Sequence, residues 1–239
     1  MDIHKPKPWH GAREFLKEYL IIVIGVLTAL AAEQGVEWWR WRERVGAAEV
    51  QVARELSASR AWADERVAVT PCLDRRLAAL EDRLLATGSW TPLPAMVHPQ
   101  IGATVYVTPF RNWPAEVWRS LAADGTVGHL DRARQVGLGG AYIQVGQLDQ
   151  QQRQEDSEIG ELSLLARPLD LDRAQRLAFA RLIERERWRV RMMSSLSSQI
   201  SARIPRLVKV VNLPGVTLDK SGTWQACRAL GLLKADLGG

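Results

Sequence analysis

From residue 20 to residue 32 the chain carries no formally charged side chain, and aromatic and basic residues flank this run. Such a run predicts a membrane-crossing helix. By itself it rises about 20 Å, short of a hydrocarbon core of about 30 Å, whereas residues 15–36 rise about 33 Å. The longer segment takes in Lys17, Glu18, Glu33 and Gln34, whose polar ends reach the headgroups. Just beyond it stand Trp38, Trp39 and Trp41, where an interfacial aromatic belt lies. The expected division is a short cytoplasmic tail over 1–14, a transmembrane helix over 15–38 and a helical periplasmic domain over 39–239.

After the anchor, Val45, Ala48, Val52, Leu56, Ser59, Ala63 and Val67 recur at helical spacing, and no proline interrupts 12–70. The pattern predicts that the anchor helix continues, bending at Gly35 or Gly46, and that Pro71 ends it. Leu73, Leu77, Leu80 and Leu84 predict a second, shorter helix returning antiparallel and stopping at Gly88. Four prolines (92, 94, 99 and 109) make 89–112 a loop, with a strand expected only over 103–108. Pro114 and Gly125 bracket a compact helix. A long helix follows on Leu130, Ala133, Gly137, Ala141, Val145, Leu148, Ile159, Leu162 and Leu165, and Pro168 closes it. Its polar middle, QQQRQEDSE, is expected to face solvent. Asp170 or Asp172 caps the next helix, with Leu171, Ala174, Ala178, Leu182, Met193, Leu196 and Ile200 as its buried stripe. Its other face, RLIERERWRVR, reads as solvated, and Pro205 ends it. Residues 207–211 read as extended, and a last helix covers 223–233. The expected fold is all-α: an N-terminal transmembrane helix continuing into a long-helix, up-and-down antiparallel bundle with little or no β structure.

One line along the anchor stands out. At 100° per residue, Glu18, Ile22, Gly25, Ala29 and Ala32 fall within about 40° of one direction, with Glu33 about 60° away. Gly25 and Ala29 form a small-x-x-x-small pair that lets a second helix approach, and acids near both ends ask for a polar partner. The plainer reading is a lone anchor whose Glu18 and Glu33 reach opposite interfaces. An ion or proton path requires charged groups through the middle, where only Thr28 is polar.

The rival reading of the apolar run is a cleaved secretory signal, with Ala29-Leu30-Ala31 as the cleavage site. Glu18 intrudes on the apolar core and the helical pattern runs through that site, which favours a retained anchor. Lys5, Lys7, Arg13 and Lys17 precede the run against Asp2 and Glu14, and charges after it are balanced. The seventeen residues before it are too short to form a domain, so the large C-terminal part is expected on the far side of a bacterial inner membrane. Two cysteines, Cys72 and Cys227, can bridge in that oxidising compartment; two separately buried thiols is the other reading.

Composition then narrows the chemistry. Thirty-two basic and 27 acidic residues give a net charge of +5, but they are interleaved, which argues against nucleic acid as a partner. No H-E-x-x-H, G-x-S-x-G, Walker A or C-x-x-C motif occurs, and the four histidines are scattered at 4, 10, 98 and 129. No catalytic residue, metal ligand or cofactor site is therefore nominated. The string at 137–140, Gly-Leu-Gly-Gly, reads as close helix approach, not a nucleotide loop. Asp219-Lys220-Ser221-Gly222-Thr223 resembles the phosphorylated aspartate motif of P-type ion pumps, but too little chain follows for a nucleotide domain. It reads as a turn into the last helix.

Two segments, REFLKEYLIIVIGVLTALAAEQ (13–34) and WRSLAADGTVGHLD (118–131) followed by Tyr142, resemble an uncharacterised family of small single-pass bacterial inner-membrane proteins. The resemblance covers about a sixth of the chain. It implies an N-terminal anchor and a helical extracytoplasmic domain, and brings no activity with it. The expected function is a non-enzymatic membrane-anchored interaction protein, seated in membrane lipid and packing against itself or another inner-membrane protein. The alternative is a periplasmic ligand-sensing bundle that signals laterally to a membrane partner, its small-molecule ligand unknown.

Overall fold

The computed structural model describes residues 11–86 and 88–233; most of the expected cytoplasmic tail, with His4 and His10, lies outside them. Among the described residues there are five α-helices: α1 (Ala12–Leu85), α2 (Glu116–Ala123), α3 (Arg132–Leu162), α4 (Arg173–Leu207) and α5 (Gly222–Ala229). Two three-residue strands, β1 (Met96–His98) and β2 (Gly102–Thr104), pair antiparallel. The fold is all-α, as the hydrophobic spacing predicts. The chain divides into two compact units at Ala47/Ala48, and α1 contributes to both.

Contrary to expectation, Pro71 does not end α1, which runs 74 residues and contains that proline. A proline inside a helix costs about 3 kcal/mol, chiefly through a lost hydrogen bond and a clash with the preceding turn. Against that cost stands one buried stripe continuing across it: Leu56, Ala63 and Val69 before, Cys72, Leu73, Leu77, Leu80 and Leu84 after, all fully buried. Burying one such leucine contributes about 1.5–3 kcal/mol, so several on one face outweigh the defect. The antiparallel second helix expected over 73–84 is therefore the end of α1 itself.

What returns along the bundle is instead the proline-rich segment. Successive contacts step down α1 as this chain ascends in number: Arg83 with Thr91, Arg76 with Val105, Arg66 with Pro109, Glu65 with Arg111, and Glu55 with Val117. An extended segment with almost no ladder leaves its backbone polar groups without secondary-structure partners, and these must be met another way. Side chains of α1 and α3 meet them. Arg76 Nε donates to the Val105 carbonyl at 2.8 Å and Nη2 to that of Pro94 at 2.8 Å. Gln152 clasps Arg111, accepting from its N–H at 3.0 Å and donating to its carbonyl at 2.6 Å. The strand expected over 103–108 is reduced to the short β1–β2 pair, and Val105, Tyr106 and Val107 are buried as extended chain without a ladder.

Because the strap returns the chain, α3 runs parallel to α1, as the pairs Glu55–Tyr142 and Arg66–Glu155 show. α4 runs antiparallel to both, pairing Arg187 with Asp74 and Arg189 with Glu158. Asp172, not Asp170, caps α4 in a reciprocal box with Gln175. Pro205 again lies inside its helix, two residues before the observed end. Ala174 and Ala178, expected in the buried stripe of α4, are exposed, as is Ala133 near the start of α3; Ile183, Val190 and Ile204 fill the core instead. Gly137 and Gly140 do mark close approach: a Cβ on Gly137 would lie 2.6 Å from Leu207 Cδ2, and one on Gly140 2.5 Å from Arg203 Nη2. The residues from 218 form a short 3-10 turn into α5, whose cap Ser221 Oγ accepts from the Trp224 N–H. α5 ends at Ala229, short of the expected 233, and a disulfide joins its Cys227 to Cys72 of α1.

Candidate functional site

Three features of the described residues are candidates for function: the uncovered apolar helix, a buried charge cluster and a polar cleft. The first lies in the N-terminal unit. One stretch of α1 is long and apolar enough to cross a membrane, with mean hydropathy 2.0 over its best 18-residue window and none of that window buried. Glu18, Ile22, Gly25, Ala29, Ala32 and Glu33 are all exposed, and nothing lies within 4 Å of a Cβ built on Gly25. Thr28 Oγ1 donates back to the Ile24 carbonyl at 2.7 Å, so the one hydroxyl in mid-helix is satisfied within its own helix. Trp38 and Trp39 are exposed and Trp41 is half-buried; the Arg42 guanidinium stands 5.3 Å from the Trp38 ring and that of Arg44 5.0 Å from Trp41. A cation over an aromatic face suits a zone where apolar and aqueous surroundings meet.

The second feature was hidden in stretches read as solvated. Gln152 and Glu155, in the supposedly exposed middle of α3, are buried, and so are Glu186 and Arg189 on the supposedly solvated face of α4. Arg66 of α1 grips Glu155 with two hydrogen bonds, 2.7 and 2.8 Å, and donates a third to the Pro109 carbonyl at 3.0 Å. Thr108 Oγ1 donates to the same carboxylate at 3.0 Å. Beside it, Arg189 bridges Glu158 at 2.8 Å and Glu186 at 2.5 Å. Arg185 reaches Glu158 as well, at 3.7 Å, from the more exposed side. Within the cluster Glu186 is the least satisfied acid: its Oε1 is buried without a partner, as is the Tyr106 hydroxyl. Burial first, then the Glu155 charge, pushes the Glu186 carboxyl up to about 8 against the pull of Arg189. Glu158, partly buried and held by Arg189, is pushed the other way.

The consequence is a stability that falls with rising pH. A carboxyl retaining its proton to about pH 8 when folded, but losing it near pH 4.3 when unfolded, contributes fully below the lower value and loses that contribution across the interval. His98, lowered by burial and by Arg111, contributes with the opposite sign. Comparison with Glu186→Gln removes the His98 contribution from the difference. From pH 5 to pH 8 this variant is expected to gain about 1–2 kcal/mol in stability relative to the parent, and an unchanged difference contradicts the assignment. Thermal melts at both pH values check this.

A separate network ties the motif at 118–131 to α1. Trp118 stacks on Tyr142 at 5.1 Å, Tyr142 Oη donates to Glu55 Oε2 at 2.6 Å, and Glu55 Oε1 accepts the Val117 N–H at 3.1 Å. Gly125, with φ of +84°, makes the turn that leads into the 3-10 segment at Thr126. This arrangement gives the tryptophan and tyrosine of that segment a structural task.

The cleft lies in the larger unit, on both sides of the Glu65–Arg111 pair (2.6 and 2.8 Å). One side is a cavity of 280 Å³ lined by Trp62, Asp64 and Thr217 among others; the other, of 250 Å³, is lined by His98, Ile101, Phe110, Gly222 and Thr223. Glu65, Arg111 and Lys220 line both. Nothing in the sequence spacing announces this cleft, because its walls come from α1, the strap and the segment before α5. No protein-family model, curated protein or solved structure matches the chain.

Proposed function

We propose that the protein is a non-enzymatic, membrane-anchored interaction protein, homo-oligomeric or an accessory subunit of a bacterial inner-membrane complex. Residues 1–14 face the cytoplasm in this reading, and the helical domain faces the periplasm. The partner packs along Glu18, Gly25, Ala29 and Glu33. The observation that carries this is an apolar helix with no part of its best window buried, on which Glu18 and small residues share one line and Glu33 stands about 60° from it. Carboxylates at the edge of hydrocarbon favour a partner that pairs with them. The family resemblance in 13–34 and 118–131 points the same way. Gly25→Leu is expected to convert an oligomer or complex into a smaller species by cross-linking and mass measurement in mild detergent. A strictly monomeric parent, unchanged by the substitution, contradicts the proposal. A second reading, a periplasmic ligand-sensing bundle acting laterally on a membrane partner, is favoured by the cleft around Glu65 and Arg111.

A further inference from the structure

The cleft's polar groups divide unevenly between those already engaged and those left over. Glu65 is neutralised by Arg111. Asp64 is engaged by Ser201 Oγ at 2.5 Å and by Arg60 at 3.7 Å. Asp219, next to Lys220, is bonded to the Thr217 side chain. Its acids are therefore spoken for.

The uncommitted groups are donors. Lys220 is exposed on the rim; its charge acts on neighbouring Asp219, but its ammonium makes no ion pair or hydrogen bond among the described residues. His98 Nδ1 accepts the Gln100 N–H at 3.2 Å, which places the proton of the neutral ring on Nε2. Burial, and then the Arg111 charge, lowers the affinity of that ring for a second proton. Its Nε2 lies so close to Gly222 that a Cβ there would stand 2.0 Å away, so only glycine fits. Gly222 and Thr223 open α5, where the first backbone N–H groups lack intrahelical acceptors and the helix end favours negative charge. Independently of that helix end, Thr223 is 1% exposed and its Oγ1 has no hydrogen-bond partner. A buried hydroxyl left so in a cavity wall points to a group that completes it. On the same wall, Ile101 and Phe110 hold their side chains 64% and 70% exposed, with no packing role inside the bundle.

Donors at one end and bare apolar surface at the other define the ligand. We propose that this cleft binds a small organic carboxylate, its head held by Lys220 and the opening turn of α5 and its apolar body lying on Ile101 and Phe110. This gives the ligand-binding reading its chemical class; it rests on that reading and not on what packs against the membrane helix. A cavity of 250 Å³ accommodates a body of a few carbons.

The test uses the full chain in lipid nanodiscs and hydrogen exchange resolved by peptide, with hexanoate as the probe. Millimolar hexanoate is expected to slow exchange over residues 220–226, with hexanol and inorganic phosphate at the same concentration doing markedly less. Lys220→Gln should weaken the hexanoate effect about tenfold, as loss of a charge-assisted contact does, and Phe110→Ser should weaken it while leaving exchange elsewhere unaltered. Protection by hexanol equal to that by hexanoate overturns the headgroup assignment. Equal protection by phosphate overturns the apolar body. No protection by any of the three overturns the site, whatever the oligomeric state of the membrane helix.

Discussion

Arg66→Met is expected to cost the domain about 3–5 kcal/mol, because it leaves the Glu155 carboxylate buried without its cation. The parent places Arg66 and Glu155 at 1% and 0% exposure, with two direct hydrogen bonds between them. It also hangs the strap on the same guanidinium through the Pro109 carbonyl. Removing the arginine thus orphans a charge and a backbone acceptor together, in a core where Glu186 Oε1 already lacks a partner. The double variant Arg66→Met/Glu155→Leu separates the two losses. It removes the stranded charge and keeps the volume, so it should recover a good part of the deficit and leave the cost of the unpaired strap and of Thr108. Urea unfolding of the full chain in mild detergent, followed by far-ultraviolet circular dichroism, reads both. A single variant within 1 kcal/mol of the parent (about a fivefold change in the folding equilibrium) would mean that the ion pair is not closed to water.

Opening the disulfide is the second large effect. Cys72 and Cys227 are 155 residues apart, and closing a loop of that length stabilises by about 5 kcal/mol in the chain-entropy model, with 2–5 kcal/mol typical when a native bridge is removed. The bridge fastens α5 to the middle of the leucine stripe on α1, and with it the segment that lines the cleft. Cys72→Ala/Cys227→Ala should therefore lower the unfolding midpoint, and speed hydrogen exchange in α5 before any other helix. The same bridge reports on compartment: protein from the periplasmic side should carry no free thiol, whereas material retained in a reducing cytoplasm should carry two.

Much of this architecture was legible as hydrophobic spacing. The stripes of α1 and α3 and the glycines facing α4 follow from side-chain size and period, and the cap of α4 narrows to Asp170 or Asp172. The misreadings share one physical cause. Pro71 and Pro205 read as stops in the sequence because a local defect of about 3 kcal/mol is visible there, while the burial that outweighs it is spread over partners far along the chain. Glu155, Glu186 and Arg189 read as solvated because charge on a helix face is usually exposed. Their burial depends on pairing across α1, α3 and α4, and on an extended strap whose carbonyls need cationic donors. The cleft was invisible for the same reason: Glu65, Arg111 and Lys220 are 46 and 109 positions apart along the chain. The membrane-helix face, by contrast, lies within one helix, where spacing alone places each residue.

The proposed role requires that the oily helix of the N-terminal unit stays attached and holds company in the bilayer. Native mass spectrometry of the protein drawn from its own membranes into mild detergent answers this in one spectrum. The predicted result is a chain that retains its apolar segment and flies as a multimer or together with a second membrane protein. A single chain whose amino terminus begins near residue 32, recovered without detergent, would contradict it.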